Sequence, residues 1–545
     1  MPVIALELPR LQKLVGITNR KKIVEMLPFL GLDIESQEND VVRVEYSPNR
    51  PDFSTDFGIT LSLLGILGKK KGIPKLKIKK VSDYQITVDS SVSKVRPFVT
   101  GIVARYGKID EKVLQQVIIM QEDLHFGIGR RRKKSSIGIH DLDTISFPFT
   151  YTTTSRNHKF IPLHSSEENS ISEILQNTEV GQEYGHILGN STKVPIIIDS
   201  MGKTVSFPPI INSSMTTVTT KTKNLFVEVT GTDKNGVEDM LAVVATILQS
   251  AGFELCTVKI SGAKNSTPQF KKRQIILSQN LVNTMLGLSL SPRKIVSALK
   301  KSRLDATTKN KNIICTVPRY RFDIFGPMDL VEEVVLGYGI ENLESTSSPS
   351  QTLGQKNHDN NILNDLSQTM VGLGYMEALN SSLTGKRILY DLTNRDSSNI
   401  IYVKNSKSQE HTILRDSILP ELVNNLSNNI HELYPQKLFE IGTVFLKGNP
   451  IKEEFHLACV SAHNYANFSE IKSILQSTLK TGFNIECKTK TSSYPTFAEG
   501  STAEIVVNGK SYGFIGKIDS SVKENFKIRV PIVGFEVKLS GLIFD

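Results

Sequence analysis

This sequence of 545 residues is divided into four segments by stretches that interrupt both helices and strands. One break, from Gly68 to Lys75, contains two glycines, a proline and four lysines. Another, from Glu344 to Gln355, is rich in serine. Glycine and proline at this density end regular structure, and a chain of this length exceeds one hydrophobic core. We therefore expect a multidomain protein with segments at residues 1–83, 93–262, 265–343 and 356–545.

Hydrophobic spacing predicts both helices and strands along the chain, so we expect an α+β fold throughout. Alternation over Val42–Tyr46 predicts a strand. In the second segment, the apolar residues of 113–124 and of 237–248 recur at helical spacing. In the third, Ser291–Pro292 supplies a helix cap and a first-turn proline. Two helices and a hairpin-like strand there predict a small winged-helix-like domain.

The composition is ordinary for a globular protein, with 39% apolar and 22% charged residues. The sequence has no run of about 18 apolar residues that could span a membrane, and its first residues do not resemble a signal peptide. The four cysteines lie far apart without a C-x-x-C pair, which predicts buried free thiols in a reducing, cytoplasmic compartment. The net charge of +10 favours a polyanionic partner.

Four carboxylates within eleven residues form the strongest chemical cluster: Asp323, Asp329, Glu332 and Glu333. Carboxylate oxygens are the ligands that Mg²⁺ and Ca²⁺ prefer. The spacing has a second explanation, because Asp329 and Glu332 make a D-x-x-E capping box that would satisfy the free amides of a helix start. Asp323 would then lie in a turn and Glu333 in solvent. Spacing alone leaves both explanations open.

The surroundings of this cluster resemble the metal-bearing domain of phenylalanine–tRNA ligase β subunits. In that family a Pro-x-Tyr-Arg-x-Asp strand end precedes an Asp-x-x-Glu-Glu helix start and a Gly-Tyr finish, and the sequence from Pro318 to Tyr338 matches each. Further matches follow the whole chain in order. They lie at 46–53, 124–130, 137–143, 206–212, 414–420 and 438–442, and those at 124–130, 137–143 and 206–212 look like the archaeal and eukaryotic branch.

The resemblance implies that Asp323, Asp329, Glu332 and Glu333 bind Mg²⁺. It implies a holoenzyme that joins phenylalanine to tRNA(Phe), with ATP bound by a catalytic α subunit in an (αβ)₂ heterotetramer. It also implies the nature of each domain. These are an N-terminal α/β domain at 1–83, an editing-type α/β domain at 93–262, a metal-bearing winged-helix-like domain at 265–343, and a degenerate class II synthetase catalytic-like domain with an antiparallel sheet at 356–545.

Relatives carry in the second segment an editing site, which hydrolyses tyrosine wrongly attached to the tRNA. Such a site must hydrogen-bond the extra phenolic hydroxyl, because an apolar pocket discriminates poorly against an added hydroxyl. The resemblance makes Ser206, Glu228 and Thr230 the candidates. Archaeal-type relatives usually show Asp-x-Thr where this chain has Glu228 and Thr230, so the carboxylate is one methylene longer. The alternative is that Glu228 and Thr230 face solvent from a strand.

The last segment lacks the residues with which a class II synthetase binds ATP. No Phe-Arg-x-Glu occurs, and the glycine-rich stretch from Gly513 to Asp519 has no arginine for the γ-phosphate. We therefore expect a catalytic fold that has lost its chemistry. The amphipathic helix beginning at Leu419 would suit burial against another subunit.

The basic run from Arg130 to Lys134 admits three interpretations: a phosphate loop, an RNA or nuclear-localisation patch, and a loop of solvated charges. The phosphate-loop pattern needs glycine directly before its lysine, and Lys133 stands there instead. His140, with Asp141 and Asp143, could indicate a hydrolase or metal site. A single histidine without a partner at metal spacing is more often structural.

Three rival functions stay open on the sequence. The first is a stand-alone editing hydrolase that acts without a partner, which leaves the long catalytic-like segment unexplained. The second is a purely structural or RNA-binding assembly protein with no hydrolytic pocket. The third is a metal-dependent phosphoryl-transfer enzyme built on the acidic cluster, which would lack a phosphate loop.

Overall fold

The structure is a computed structural model that describes residues 2–261, 267–309, 312–347, 353–406, 408 and 410–543. Its contacts divide the chain into two compact units, Met1–Thr346 and Ser347–Asp545, and each mixes helices with strands. The predicted α+β character is therefore confirmed. Within the described ranges, no helix combines the length and the apolar character that crossing a membrane requires.

The N-terminal segment folds around its own apolar core. Its elements are β1 (Val3–Glu7), α1 (Leu8–Val15), α2 (Arg20–Met26), β2 (Asp33–Glu38), β3 (Val41–Glu45) and α3 (Asp56–Ile66). The strands form an antiparallel sheet in the order β1-β3-β2. Val42 and Val44 are fully buried and alternate with exposed residues on β3, as a period of two predicts. Thr55 caps α3 by accepting a hydrogen bond from the N–H of Gly58 at 3.2 Å.

The second segment contains two sheets. Its elements are β4 (Ile78–Lys79), β5 (Gln85–Val88), β6 (Phe98–Arg105), α4 (Glu111–Phe126), β7 (Ser135–Asp141), β8 (Phe149–Ser155), β9 (Lys159–Phe160), β10 (Asn169–Ser170), α5 (Ile171–Asn177), α6 (Glu179–Tyr184), β11 (Lys193–Ile198), β12 (Thr204–Phe207), β13 (Ile211–Asn212), β14 (Leu225–Gly231), α7 (Lys234–Ser250), β15 (Glu254–Thr257) and β16 (Lys259–Ile260). One sheet has the order β4-β15-β6-β14-β7 and the other β13-β12-β11-β8-β5-β16, while β9 and β10 pair separately.

The interior strand β14 separates two apolar cores. Val227 and Val229 join α4 and α7 in one core. Phe226 joins Phe149 and Tyr151 of β8 in the other, which lies between the two sheets. Because successive side chains of a strand point to opposite faces, residues 226, 228 and 230 all point between the sheets. Both predicted helices of this segment, α4 and α7, are confirmed, and Gly252 has the left-handed conformation (φ +96°) expected just beyond α7.

The third segment comprises β17 (Arg273–Ser278), α8 (Gln279–Leu286), α9 (Pro292–Lys301), β18 (Asp305–Lys309), β19 (Asn312–Val317) and α10 (Pro327–Tyr338). The strands form an antiparallel sheet in the order β17-β19-β18, and the helices share one core with it. Ser291 caps α9 as predicted, because its hydroxyl accepts from the N–H of Lys294 at 3.4 Å. The structure adds α8 and two strands to the predicted two helices and single strand.

The second unit is built on one large sheet. Its elements are α11 (His358–Gly372), β20 (Met376–Glu377), β21 (Leu383–Thr384), β22 (Ile401–Tyr402), β23 (Ile413–Leu414), α12 (Leu419–Asn428), β24 (Gln436–Leu446), β25 (Lys452–Ala462), α13 (Phe468–Phe483), β26 (Lys488–Thr491), β27 (Phe497–Val507), β28 (Lys510–Ile518), α14 (Ser520–Asn525) and β29 (Ile532–Lys538). The sheet has the order β20-β24-β25-β29-β28-β27-β26 and is antiparallel except at its edge strand β20. A second, small sheet has the order β21-β23-β22.

Helix α12 overturns one expectation. Its apolar residues Leu419, Leu422, Val423 and Leu426 are buried with Val460 of β25 in a core of the same unit. The amphipathic face that predicted contact with another subunit is therefore covered by this chain's own sheet, so that prediction was wrong. An amphipathic pattern reveals that a face is buried, and it does not reveal which surface covers it.

The four cysteines are free and buried, as the sequence predicts. Within the ranges that the structure describes, no group of three or more histidine, cysteine, aspartate or glutamate side chains is arranged to hold a metal ion.

Candidate functional site

A cavity of about 590 Å³ lies in the second segment. Its walls come from α4, β7, the end of β12 and the loops after β9 and β13. Most of the lining is apolar, and it includes Val117, Ile137, Ile139, Phe207 and Ile211. The polar lining includes Glu228 and Asn212. A concave, mostly apolar space with a few converging polar groups is the usual form of a small-molecule site.

Glu228 stands between two glycines on the sheet. Its cross-strand neighbours on β14 are Gly101 of β6 and Gly138 of β7. Neither neighbour has a side chain, and a Cβ atom on Gly138 would lie only 2.7 Å from the Glu228 carboxyl group. Glu228 is nevertheless only 2% exposed, and all seven residues of β14 are buried. The alternative in which Glu228 and Thr230 face solvent is therefore wrong.

Burial dominates the electrostatics of Glu228. It raises the pKa of the carboxyl from its ordinary value of 4.5 to about 7, against the opposing effects of the Ser206 hydrogen bond and the Arg96 charge. Oε1 accepts a hydrogen bond from Ser206 Oγ at 3.1 Å. Oε2 is buried and has no hydrogen-bond partner among the described residues. A buried carboxyl with one free oxygen can receive a polar group of a ligand.

His140 lies fully buried on the neighbouring strand β7. Its Nδ1 is 2.9 Å from the hydroxyl of Thr216, which donates its own proton to the carbonyl of Ser213 at 2.9 Å. Nδ1 therefore carries the ring proton, because the hydroxyl has only one proton to give. Nε2 remains an acceptor, buried and unpartnered within the described part of the chain. Burial lowers the pKa of the imidazole to about 3 and so keeps it neutral.

Three polar atoms converge beside the Cα atom of Gly138. A Cβ atom built on Gly138 would lie 2.6 Å from His140 Nε2, 2.7 Å from Glu228 Oε1 and 3.1 Å from Asn212 Oδ1. Glu228 and His140 also carry the unpartnered atoms described above. Hydrogen-bonding groups thus gather at one end of a mostly apolar cavity. This arrangement suits an aromatic or aliphatic body that ends in a hydroxyl group.

The three predicted residues are therefore positioned differently. Glu228 lines the cavity, and Ser206 acts through its hydrogen bond to Glu228. The Thr230 side chain instead contacts Arg96, whose Nε donates to Thr230 Oγ1 at 3.0 Å. A catalytic role of these residues stays a prediction, and the geometry gives Thr230 the position of a residue that orients Arg96.

Sequence reasoning did not assign Arg96, Gly138 or Asn212 to the site. For Gly138 and His140 a signal exists, because both alternate with the apolar Ile137 and Ile139 and so share one face of β7. Arg96 precedes β6 and has no local pattern that distinguishes it from a surface arginine. Only the fold shows that it is 2% exposed.

The acidic cluster of the third segment is organised by Arg321, which is 2% exposed. Its guanidinium donates to both oxygens of Asp323, at 2.9 and 2.7 Å, and to the carboxylate of Glu333. Coulombic attraction to Arg321 offsets burial and holds the pKa of Asp323 below its ordinary value. Glu333 is 6% exposed, so the expectation that it faces solvent is wrong.

Asp329 is the third residue of α10 and not its cap. The helix begins three residues earlier than a D-x-x-E box would place it, and Asp329 Oδ2 accepts from the N–H groups of Phe325 and Gly326 at 2.7 and 2.8 Å. The capping-box interpretation is therefore wrong about the position of Asp329 in the helix. It is right about its role, because the carboxylate does accept hydrogen bonds from free amides at the helix start. Glu332 is exposed.

As placed here, these carboxylates do not fit a Mg²⁺ ion. Arg321 already supplies the positive charge between Asp323 and Glu333, and no metal-binding group of three such side chains exists within the described ranges. The assignment of Mg²⁺ ligands that the resemblance implies stays a prediction.

A magnesium titration distinguishes the two possibilities. We expect millimolar Mg²⁺ to leave the Tm of the metal-free chain unchanged, because Arg321 holds two of the four carboxylates. Thermal unfolding with and without Mg²⁺ measures this, with a Glu332→Gln variant as the matched control. A cation at 100 times its Kd would add about 2.7 kcal/mol to the free energy of unfolding. Such a rise in wild type, lost in Glu332→Gln, would instead support the metal site.

Comparison with known proteins identifies two family models in the chain. The model described as "Phenylalanyl tRNA synthetase beta chain CLM domain" matches residues 343–539. The model described as "tRNA synthetase B5 domain" matches residues 275–340. The two matches follow each other along the sequence.

Full-length relatives are similar over the entire chain. A phenylalanine–tRNA ligase β subunit from Archaeoglobus fulgidus is 37% identical over 550 residues, covering 100% of this chain and 99% of the relative. One from Methanocaldococcus jannaschii is 35% identical over 555 residues, covering 99% and 100%. The crystal structure of an N-terminal fragment of the phenylalanyl-tRNA synthetase β subunit from Pyrococcus horikoshii superposes with a TM-score of 0.58 at 30% identity. It covers 62% of this chain and 99% of the fragment.

Proposed function

This chain belongs to the phenylalanine–tRNA ligase β-subunit family, and from that premise we propose that its Glu228 cavity hydrolyses tyrosine wrongly attached to tRNA(Phe). The reaction adds one water across the ester bond, releases tyrosine and restores the free hydroxyl at the 3′ end of the tRNA. The chain is one subunit of an aminoacyl-tRNA ligase. Hydrolysis of mischarged tRNA would be its own contribution to accuracy.

The assembly follows from the same premise. A catalytic α subunit binds ATP with Mg²⁺ and joins phenylalanine to tRNA(Phe), and the two subunits form an (αβ)₂ heterotetramer in the cytoplasm. In support, the second unit carries no Phe-Arg-x-Glu and no arginine between Gly513 and Asp519. A class II site needs positive charge where the phosphates of ATP bind. The chemistry of charging therefore belongs to the partner.

The observation that carries the hydrolytic proposal is the unpartnered buried atom Glu228 Oε2 at the polar end of the cavity, with the unpartnered His140 Nε2 beside Gly138 on the neighbouring strand. A tyrosyl side chain fits such a space, with its ring along the apolar wall and its hydroxyl donating to the Glu228 carboxylate. A phenylalanyl side chain would leave the Glu228 oxygen buried and unsatisfied. That difference rejects the correct amino acid, because a site built to bind a hydroxyl discriminates strongly against its absence.

The test uses a glycine variant that fills the polar end. In Gly138→Ala, the added Cβ would fall within 3.1 Å of His140 Nε2, Glu228 Oε1 and Asn212 Oδ1. We expect deacylation of tyrosyl-tRNA(Phe) by the α–β complex to fall at least about tenfold, since one displaced hydrogen bond to a charged group already costs 1.5–3 kcal/mol. Single-turnover release of tyrosine measures the rate.

The matched control is Gly236→Ala in the first turn of α7. There the nearest atom to the new Cβ is Ser135 Oγ at 3.4 Å, an ordinary contact, so deacylation should stay at the wild-type rate. Charging of phenylalanine by the mixed subunits should be unchanged in both variants and absent for either subunit alone. Wild-type deacylation in Gly138→Ala would contradict the assignment of this cavity.

A further inference from the structure

The turn between α4 and β7 carries five successive basic residues, Arg130 to Lys134, called here the basic turn. Arg130, Arg131 and Lys133 are exposed, and within the described ranges their side chains form no hydrogen bond or ion pair. The other two side chains attach the turn to the domain. Arg132 donates to the carbonyl of Ile210 at 2.9 Å, and the Lys134 ammonium lies 3.6 Å from Asp233.

The backbone of the basic turn has an unusual conformation. Arg130, Arg131 and Arg132 have φ values of 47°, 52° and 63°, the left-handed region that residues with a Cβ rarely occupy. Hydrogen bonds fix this shape: the N–H of Lys134 donates to Gly129 at 2.8 Å and that of Arg132 to His125 at 3.1 Å. The side chains of Arg130, Arg131 and Lys133, which form no ion pair within the described ranges, therefore extend from a turn whose shape the domain determines.

A buried cation supports the basic turn from beneath. Arg96 donates to the carbonyl oxygens of Arg132 and Lys133 at 3.2 and 3.5 Å, and to both oxygens of Thr230. None of its hydrogen bonds among the described residues goes to a carboxylate. Burial lowers the pKa of Arg96 to about 10, which leaves it protonated at neutral pH. The buried Arg96 guanidinium therefore adds to the positive potential of the basic turn.

The basic turn adjoins the cavity, because Arg132 lines its wall. At the end of α4, the ring of Phe126 is 65% exposed, and the Arg131 guanidinium lies 5.4 Å from its centre. Exposed cations beside an exposed aromatic ring are the combination that binds single-stranded nucleic acid, through phosphates and stacked bases.

The phosphate-loop interpretation fails on the backbone. Such a loop binds phosphate through free N–H groups. Here the N–H groups of Arg130, Arg132, Lys133 and Lys134 donate to carbonyl oxygens of residues 125–130. Within the described ranges only the Arg131 N–H makes no such bond, and one N–H group does not form a phosphate loop, so phosphate groups are met mainly by the side chains.

We propose that the basic turn binds the sugar–phosphate backbone of the single-stranded 3′ end of the RNA substrate, with Phe126 stacking on a base. Contacts to phosphate fix the register of a nucleic acid without reading its sequence. The turn thereby directs the esterified end of the strand toward the Glu228 cavity. The identity of the strand as aminoacylated tRNA rests on the proposed function, whereas binding of RNA by the turn does not.

Binding of RNA to the full chain tests this directly. The probe is a fluorescein-labelled, single-stranded 12-nucleotide RNA ending in CCA, and fluorescence anisotropy is recorded over a range of KCl concentrations. We expect the variant Arg130→Gln/Arg131→Gln/Lys133→Gln to bind about tenfold more weakly. Loss of three phosphate contacts should also reduce the slope of log K against log salt by about 2, since each contact contributes roughly 0.7. Phe126→Leu should weaken binding at least about fivefold through lost stacking.

Two control variants separate position from charge. Arg130→Lys/Arg131→Lys keeps the charge and should bind within about twofold of wild type. Lys70→Gln/Lys71→Gln/Lys75→Gln removes the same amount of charge from exposed lysines elsewhere and should also bind RNA within about twofold of wild type. The proposal would be overturned if Arg130→Gln/Arg131→Gln/Lys133→Gln bound RNA as tightly as wild type. It would also be overturned if Lys70→Gln/Lys71→Gln/Lys75→Gln lost as much affinity as that variant.

The remaining outcomes also decide. If a poly-glutamate peptide of equal charge binds the turn as tightly as the RNA, its partner is an acidic protein and the proposal is overturned. A complex that binds RNA through the turn but does not deacylate tyrosyl-tRNA overturns only the proposed hydrolysis. A Glu228→Gln chain should bind the RNA as wild type does.

Discussion

Replacing Glu228 by glutamine is expected to reduce deacylation of tyrosyl-tRNA(Phe) by roughly 10- to 100-fold while charging of phenylalanine is unchanged. Glutamine keeps the shape of the side chain but removes the charged oxygen that accepts the hydrogen bond of the phenolic hydroxyl, and a hydrogen bond to a charged group is worth about 1.5–3 kcal/mol. Steady-state deacylation by the α–β complex measures the effect. Glu111→Gln, on the exposed first turn of α4, is the matched control and should retain full activity.

The same variant has a pH signature in stability. The folded-state pKa of Glu228, about 7, lies above its ordinary value of 4.5, so the folded chain holds the extra proton between these values. Wild type therefore loses stability as the pH rises from about 4.5 to 7, by at most about 3 kcal/mol, and stays at that level above pH 7. Glu228→Gln lacks this loss. Urea unfolding of both chains at pH 5 and pH 8 should show the variant gaining relative stability at the higher pH.

The second large effect is on folding. Arg321→Met is expected to reduce the free energy of unfolding by about 3–5 kcal/mol, because it leaves Asp323 and Glu333 buried without the cation that pairs them. Denaturant unfolding monitored by circular dichroism measures the loss. Arg319→Met is the matched control. Arg319 pairs with Asp239 at 2.8 Å, and their side chains are 14% and 26% exposed, so its removal should cost clearly less.

A compensated variant makes the cause specific. In Arg321→Met/Asp323→Asn/Glu333→Gln the buried charges disappear together, and most of the lost stability should return. If the triple variant is as unstable as Arg321→Met alone, the loss reflects packing of the arginine side chain and not an unpaired charge.

Local structure in this chain follows from local sequence. The alternation in β3, the stripe of α7 and the Ser291 cap of α9 each depend on residues within a few positions of one another. Their period identifies the element before any tertiary contact is known. The D-x-x-E pattern at Asp329 and Glu332 shows the limit of such patterns, because a helix start can shift by three residues and still use the same carboxylate.

The candidate site could be predicted only in part, because it is assembled from distant segments. Ser206 and Glu228 are bonded across 22 residues, and Arg96 and Thr230 across 134. The resemblance to a known family identified Glu228 as a site residue. Arg96 and Asn212, in contrast, acquire their positions from the pairing of strands. Burial at such positions is a property of the fold, and single-residue chemistry does not predict it. The same reason explains why the apolar face of α12 was assigned to the wrong surface.

We propose that the Glu228 cavity hydrolyses a tRNA ester by recognising a phenolic hydroxyl. The most direct measurement compares deacylation of tyrosyl-tRNA(Phe) and phenylalanyl-tRNA(Phe) by the wild-type α–β complex under identical single-turnover conditions. We expect release of tyrosine at least about 100 times faster than release of phenylalanine, since a missing hydroxyl leaves a buried acceptor unsatisfied. Equal rates for the two substrates, or release of neither, would contradict it.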